Sequence, residues 1–303
     1  MNLLVTGAFN WTEDELNKLK EAGHEVVFMQ QEKDELPCEP KWVEGIIGNG
    51  LFVSHPIEQF ENLHYIQLTS AGYDRVPMDY VKEKRIQINN ARDVYSIPMA
   101  EFAVCGVLEL YKQSKVFLDN QREQKWIKHR DVQELYGKTV CIVGCGSVGT
   151  ECAKRFRAFE CRVIGITKSP KACVYYQEIY NFSEIDEVIN YCDVLIMTVP
   201  LTVQTRKMMD KRRFELLKSG SLLVNISRGA IIDTEALICW LQGNSGGGAV
   251  LDVFEEEPLD PSSPLWGMSN VIITPHNSFI GEGNHQRMWN VIRKNLNDIS
   301  RCN

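Results

Sequence analysis

The chain has little of what a nucleic-acid-binding, membrane-spanning or disulfide-bonded protein needs. Its 33 lysines and arginines are outnumbered by 40 aspartates and glutamates, a formal net charge of -7. No basic block stands out against that balance, so there is no electrostatic footprint for a polyanion. No apolar run approaches the roughly 20 residues of a membrane span. Ten cysteines are present, but none forms a C-x-x-C pair. Cys141 falls in a strand pattern and Cys145 in a glycine turn, which argues against a disulfide framework or a zinc site. No metal is expected. The opening Met1-Asn2-Leu3-Leu4-Val5-Thr6-Gly7 lacks a basic n-region and runs straight into strand and turn, unlike a secretory signal. Reduced thiols and a cytoplasmic location are the expectation. There are no internal repeats, and low complexity is confined to Gly246-Gly247-Gly248.

What is present is the composition of a globular protein, 44% hydrophobic and 24% charged, in 303 residues. That length suits two domains of moderate size. Strands are read at 3–6, 25–29, 43–47, 65–68 and 85–88. Thr12-Glu13-Asp14-Glu15 is a capping box opening a helix that Gly23 closes, and residues 56–60 make a short helix. Pro98 lies in the first turn of a long helix reaching about Asp119. Further strands fall at 193–198, 221–225, 248–251 and 271–274, and Asp233 caps a helix through Trp240. A last helix over about 282–299 is long enough to cross back onto the first domain. Such alternation predicts parallel, doubly wound sheets.

The stretch from Lys138 to Gly149 reads as a β-branched strand, a glycine turn and the start of a helix. In that setting each glycine of G-x-G-x-x-G has its own task. Gly144 permits the tight turn, Gly146 lets the backbone approach a pyrophosphate, and Gly149 allows close packing of helix on sheet. Ser147 and Val148 lie in the helix's first turn, whose free N–H groups and partial positive charge suit phosphate. The strand 162–166 completes a dinucleotide-binding unit. The predicted fold is α/β with two Rossmann-like domains. Residues 93–279 form the cofactor domain, and residues 1–92 with 280–303 form a smaller, discontinuous, flavodoxin-like domain.

In the smaller domain the loop Thr69-Ser70-Ala71-Gly72-Tyr73-Asp74 follows a strand directly, where open α/β sheets bind ligands. Its N–H groups could hold a carboxylate; an ordinary glycine turn is the alternative. In the larger domain three polar residues lie just past strand ends: Arg228 in Ser227-Arg228-Gly229, Glu257 in Glu255-Glu256-Glu257-Pro258, and His276 in Thr274-Pro275-His276. Singly they read as a surface arginine, an acidic loop and a hydrogen-bonded histidine. On successive strand ends of one sheet they would converge beside the cofactor.

Several motifs occur in order: Ala71-Gly72-Tyr73-Asp74, Met99-Ala100-Glu101, the glycine loop, Val199-Pro200-Leu201-Thr202, Ser227-Arg228-Gly229, Asp252-Val253-Phe254 and Pro275-His276. Through them the chain resembles, over nearly its whole length, the D-2-hydroxyacid dehydrogenase family, whose members reduce 2-oxo acids with a nicotinamide cofactor. The resemblance implies that His276 is the general acid in carbonyl reduction and the base in reverse. The ordinary histidine pKa of about 6.5 suits that task. Glu257 would orient the imidazole, and Arg228 would grip the substrate carboxylate and 2-oxygen. Ser70, Ala71 and Gly72 would offer N–H groups to the same carboxylate. Val199, Pro200, Thr205, Ile226, Ser227, Asp252 and His276 would line the cofactor.

Three places depart from the family pattern. Asn277-Ser278-Phe279-Ile280 replaces the usual small run after the histidine, which puts specificity in question. The turn 243–248 is one residue longer than usual. The strand 162–166 is followed by Thr167, Lys168 and Ser169, where NAD-preferring relatives carry an acidic residue, and this points to NADP over NAD. A small 2-oxo or 2-hydroxy acid is the expected partner, with neither nucleic acid nor membrane, in a homodimer built through the cofactor domains. The alternative is a cofactor-bound regulatory or corepressor-like scaffold on the same fold.

Overall fold

Two all-parallel sheets organise the chain, and the computed structural model describes residues 1–300. The first unit comprises Met1–Tyr95 and the C-terminal segment from Gly281. It contains β1 (Asn2–Thr6), α1 (Glu13–Glu21), β2 (Glu25–Met29), β3 (Gly45–Gly48), α2 (Leu51–Ser54), β4 (Tyr65–Leu68), α3 (Met78–Glu83) and β5 (Gln87–Asn89). The strand order is β2-β1-β3-β4-β5, the flavodoxin-like doubly wound order. The capping box forms as expected: Glu15 N–H donates to Thr12 Oγ1 at 3.2 Å, and Thr12 N–H donates to Glu15 Oε2 at 2.9 Å.

The second unit, Ser96–Ile280, contains α4 (Ser96–Tyr111), α5 (Ser114–Arg122), β6 (Thr139–Val143), α6 (Ser147–Ala158), β7 (Arg162–Thr167), β8 (Glu178–Asn181), α7 (Ile185–Val188) and β9 (Val194–Met197). After these come α8 (Lys211–Leu216), β10 (Leu222–Asn225), α9 (Thr234–Gly243), β11 (Gly248–Leu251) and β12 (Val271–Ile273). Its order is β12-β11-β10-β9-β6-β7-β8. The winding reverses between β6 and β9, so the glycine loop leaves the sheet at the switch point, where ligands of such folds bind. Val140–Val143, Val194–Met197 and Leu222–Asn225 are buried throughout, as strands covered on both faces by helices must be.

The last helix, α10 (Asn284–Ser300), belongs to the first unit. Its Met288, Trp289, Ile292 and Leu296 pack with Leu3, Val5, Ile47 and Tyr65. Asn295 Nδ2 donates to the fully buried Gln67 at 2.7 Å.

The long helix expected to reach Asp119 is in fact two. The Tyr111 carbonyl, which would continue the helix, is taken by the Gln133 N–H at 2.9 Å. Gln113 turns left-handed at φ 54 and α5 starts afresh. Strand β8 was not anticipated. Among the described residues no helix is long and apolar enough to cross a membrane.

Candidate active site

Local geometry gives each glycine of the loop after β6 its task. Gly144 has φ +108, and a Cβ there would stand 2.8 Å from Thr198 Oγ1. Thr198, at the end of β9, fixes this turn by donating its hydroxyl to the Gly144 carbonyl at 2.7 Å. A Cβ on Gly149 would meet the Gly144 carbonyl oxygen at 1.9 Å, whereas one on Gly146 would meet nothing within 4 Å. The space over Gly146 is therefore open. Gly146 caps α6 without a side-chain hydrogen bond, and the first turn holds no acidic residue. Its N–H groups are thus available to an anion, with the helix dipole behind them. Burial pushes the neighbouring Cys145 thiol up to about 11.

At the same end of the sheet, loops from β10, β11 and β12 carry the three polar residues. Asn225, buried at the end of β10, accepts from Ser227 Oγ at 2.7 Å and donates to the Arg228 carbonyl at 3.1 Å. This locks the turn that presents Arg228, whose Nη1 donates to the Ser227 carbonyl at 2.7 Å. A Cβ on Gly229 would lie 1.8 Å from the Phe254 carbonyl carbon, so the turns after β10 and β11 are in backbone contact. Glu257 is half-exposed. Its Oε1 accepts the Phe254 N–H at 3.0 Å, and its Oε2 lies 2.9 Å from His276 Nδ1.

His276 itself adopts φ 51, a left-handed backbone rare outside glycine. Its N–H reaches the Asp252 carbonyl at 2.8 Å. The fully buried Asp252 carboxylate takes the Thr274 hydroxyl at 2.6 Å and the N–H groups of Asn277 and Ser278 at 2.7 and 3.0 Å. Asp252 thus secures the loop that carries the histidine. Neither it nor Asn225 was singled out from sequence for such a task; the only local signal is a polar residue at the end of an apolar strand.

Residues 104–278 match the family model for the D-isomer specific 2-hydroxyacid dehydrogenase, NAD binding domain. The chain belongs to the D-isomer specific 2-hydroxyacid dehydrogenase family. It is an NAD(P)-dependent oxidoreductase of that family. It is 34% identical over 230 residues to the glyoxylate/hydroxypyruvate reductase A of Arabidopsis thaliana, covering 75% of this chain and 71% of that protein. It is 31% identical over 250 residues to the glyoxylate reductase of Pyrococcus furiosus, covering 79% and 74%. Among solved structures, the NADPH-dependent glyoxylate/hydroxypyruvate reductase of Sinorhizobium meliloti, in complex with NADP and malonate, aligns with a TM-score of 0.80 at 26% identity over 98% of this chain and 92% of that one.

The glycine loop of this dehydrogenase fits a dinucleotide: an uncapped helix start, an open space over Gly146, and glycines where side chains would clash. Ser147 and Val148 are half-buried in that first turn. Thr167 is the last residue of β7 and half-buried, while Lys168 and Ser169 are exposed. Val199, Ile226 and Ser227 are buried and Pro200 is exposed. Thr205 is 3% exposed, and its hydroxyl donates to the Pro200 carbonyl at 2.7 Å, so it shapes its loop from within. In the first unit Ser70 Oγ donates to the Gly72 carbonyl at 3.0 Å and Asn90 to the Ala71 carbonyl at 2.7 Å. Among the described residues, the N–H groups of Ser70, Ala71 and Gly72 donate to no protein acceptor.

Proposed function

We propose that the chain is a reductase of small 2-oxo acids, glyoxylate and hydroxypyruvate foremost, that works in reverse on D-2-hydroxy acids. The observation that carries this reading is the His276–Glu257 pair at 2.9 Å beside a glycine loop fit for a dinucleotide. When bound, the nicotinamide supplies or takes the hydride. With Nδ1 committed to Glu257, the imidazole has Nε2 for proton exchange with the substrate oxygen. Arg228 holds the substrate carboxylate and 2-oxygen with its planar fork, fixing the carbonyl carbon for hydride transfer. Within the first unit, the N–H groups of Ser70, Ala71 and Gly72 suit a carboxylate on their own loop. The names of the similar reductases support the substrate class.

A homodimer through the cofactor domains belongs to this proposal. Its support is the exposed apolar run on and after α5: Phe117 at 42%, Leu118 at 53%, Trp126 at 98% and Ile127 at 58% exposure. A reducing cytoplasm suits the nine free thiols of the described residues. The test is a panel of glyoxylate, hydroxypyruvate, pyruvate and bulkier 2-oxo acids, each with NADPH and NADH. Turnover of the small acids is expected; no turnover of any oxo acid with either cofactor would overturn the proposal. Sedimentation of the full chain and of Trp126→Glu tests the dimer.

A further inference from the structure

Helices α4 and α6 begin side by side. Ser96, the first residue of α4, is 3% exposed and donates its hydroxyl to Ser147 Oγ, in the first turn of α6, at 2.9 Å. Ser96 also opens the second unit, directly after Tyr95. A buried hydroxyl with a single partner is a costly device unless the partner needs it. Ser147 has one O–H donor and two acceptor lone pairs. By filling an acceptor position, Ser96 leaves the Ser147 proton directed elsewhere. Beside Ser147 lies the open space over Gly146. The first turn of α4, like that of α6, contains no acidic residue, so two helix N-termini add their positive ends at this place.

We propose that Ser96 is a positioning residue of the cofactor site, holding the Ser147 hydroxyl so that it donates to the dinucleotide pyrophosphate. This rests on the reading that the glycine loop holds the dinucleotide. The probes are NADPH and ADP-ribose, which has the pyrophosphate but no nicotinamide, each titrated against the full chain by calorimetry. Ser147→Ala and Ser96→Ala should each weaken both ligands by about five- to tenfold. The double variant should be no weaker than Ser147→Ala alone, and Ser96→Thr should restore affinity. A further loss from Ser96→Ala in the Ser147→Ala background would overturn the relay. Unchanged ADP-ribose affinity in Ser147→Ala would do the same, even if Ser96→Ala fails to fold. Gly146→Val separates this from the underlying reading. If it still binds NADPH as the wild type does, the cofactor site itself is misplaced. If it loses NADPH while Ser147→Ala keeps it, the relay alone fails.

Discussion

Glu257 joins two loops through two different oxygens: Oε2 lies 2.9 Å from His276 Nδ1, and Oε1 accepts the Phe254 N–H at 3.0 Å. Both carboxylate oxygens are thereby held in place. If His276 is the proton donor, His276→Gln should lower kcat by about 10²–10⁴ while leaving the NADPH dissociation constant unchanged. Glu257→Gln should be milder, because its amide oxygen can still accept one of the two contacts and His276 itself remains. Near-normal turnover in His276→Gln would remove it from the mechanism.

Arg228→Lys tests the fork. An ammonium cannot reproduce two parallel N–H donors, so kcat and kcat/KM should fall together for glyoxylate and hydroxypyruvate. A rise in KM with kcat intact would reduce Arg228 to uniform binding of the substrate.

Asp252 makes a prediction that separates structure from chemistry. Its carboxylate holds three donors of the His276 loop, and an asparagine presents only one acceptor oxygen. Asp252→Asn should leave a loop N–H unmatched at a cost of about 1–3 kcal/mol. The melting temperature should drop, and the Asn277 and Ser278 amides should exchange faster. Wild-type exchange at both amides would show that the loop is held by something else.

Gly229→Ala is expected to force the turns after β10 and β11 apart, since its Cβ would lie 1.8 Å from backbone at Phe254 and 2.3 Å from the Glu255 nitrogen. Backbone cannot swing aside as a side chain can, so the cost should reach about 1–3 kcal/mol, with turnover falling more than cofactor affinity. Gly243→Ala is the control, because nothing lies within 4 Å of a Cβ there. Equal effects at the two glycines would sink the packing argument.

These contacts also show where sequence suffices. The strands flanking the glycine loop were legible because each is a short β-branched run buried on both faces, and the tasks of the glycines are local. Strand β8 was not: Glu178–Asn181 is half-buried at every position on the sheet edge, so no apolar run marks it. The break after Tyr111 is equally silent in sequence. It depends on Gln133 capturing a helix carbonyl from a distant segment, with neither glycine nor proline at the break. At the site, residue types and order pointed to Arg228, Glu257 and His276. The work of Asp252 and Asn225 became visible only through hydrogen bonds between loops, which no periodicity encodes.

We expect cofactor choice to turn on the end of β7. Strand β7 ends at Thr167, and Lys168 and Ser169 follow, exposed. The turn is not loose, because Asn181 Nδ2 donates to the Lys168 carbonyl at 3.1 Å. Among the described residues the Lys168 ammonium forms no ion pair, so its charge is available to a ligand. A carboxylate at the strand end accepts the ribose hydroxyls of NAD and repels a 2′-phosphate. Two charges about 4 Å apart interact by roughly 4 kcal/mol at an effective dielectric of about 20. Screening at the surface reduces that, yet about 1.4 kcal/mol already corresponds to tenfold. With the adenosine ribose at this turn, Thr167 would remove the repulsion and Lys168 would supply attraction. The expected outcome is a preference for NADPH of about tenfold or more in kcat/KM. Thr167→Asp should swing the preference toward NADH, and Lys168→Ala should weaken NADPH more than NADH. The NADPH advantage should also shrink as salt is added, because an exposed ammonium is screened. Wild-type enzyme working better with NADH would refute the assignment. A preference for NADPH that survives Lys168→Ala undiminished would move the phosphate contact away from this turn.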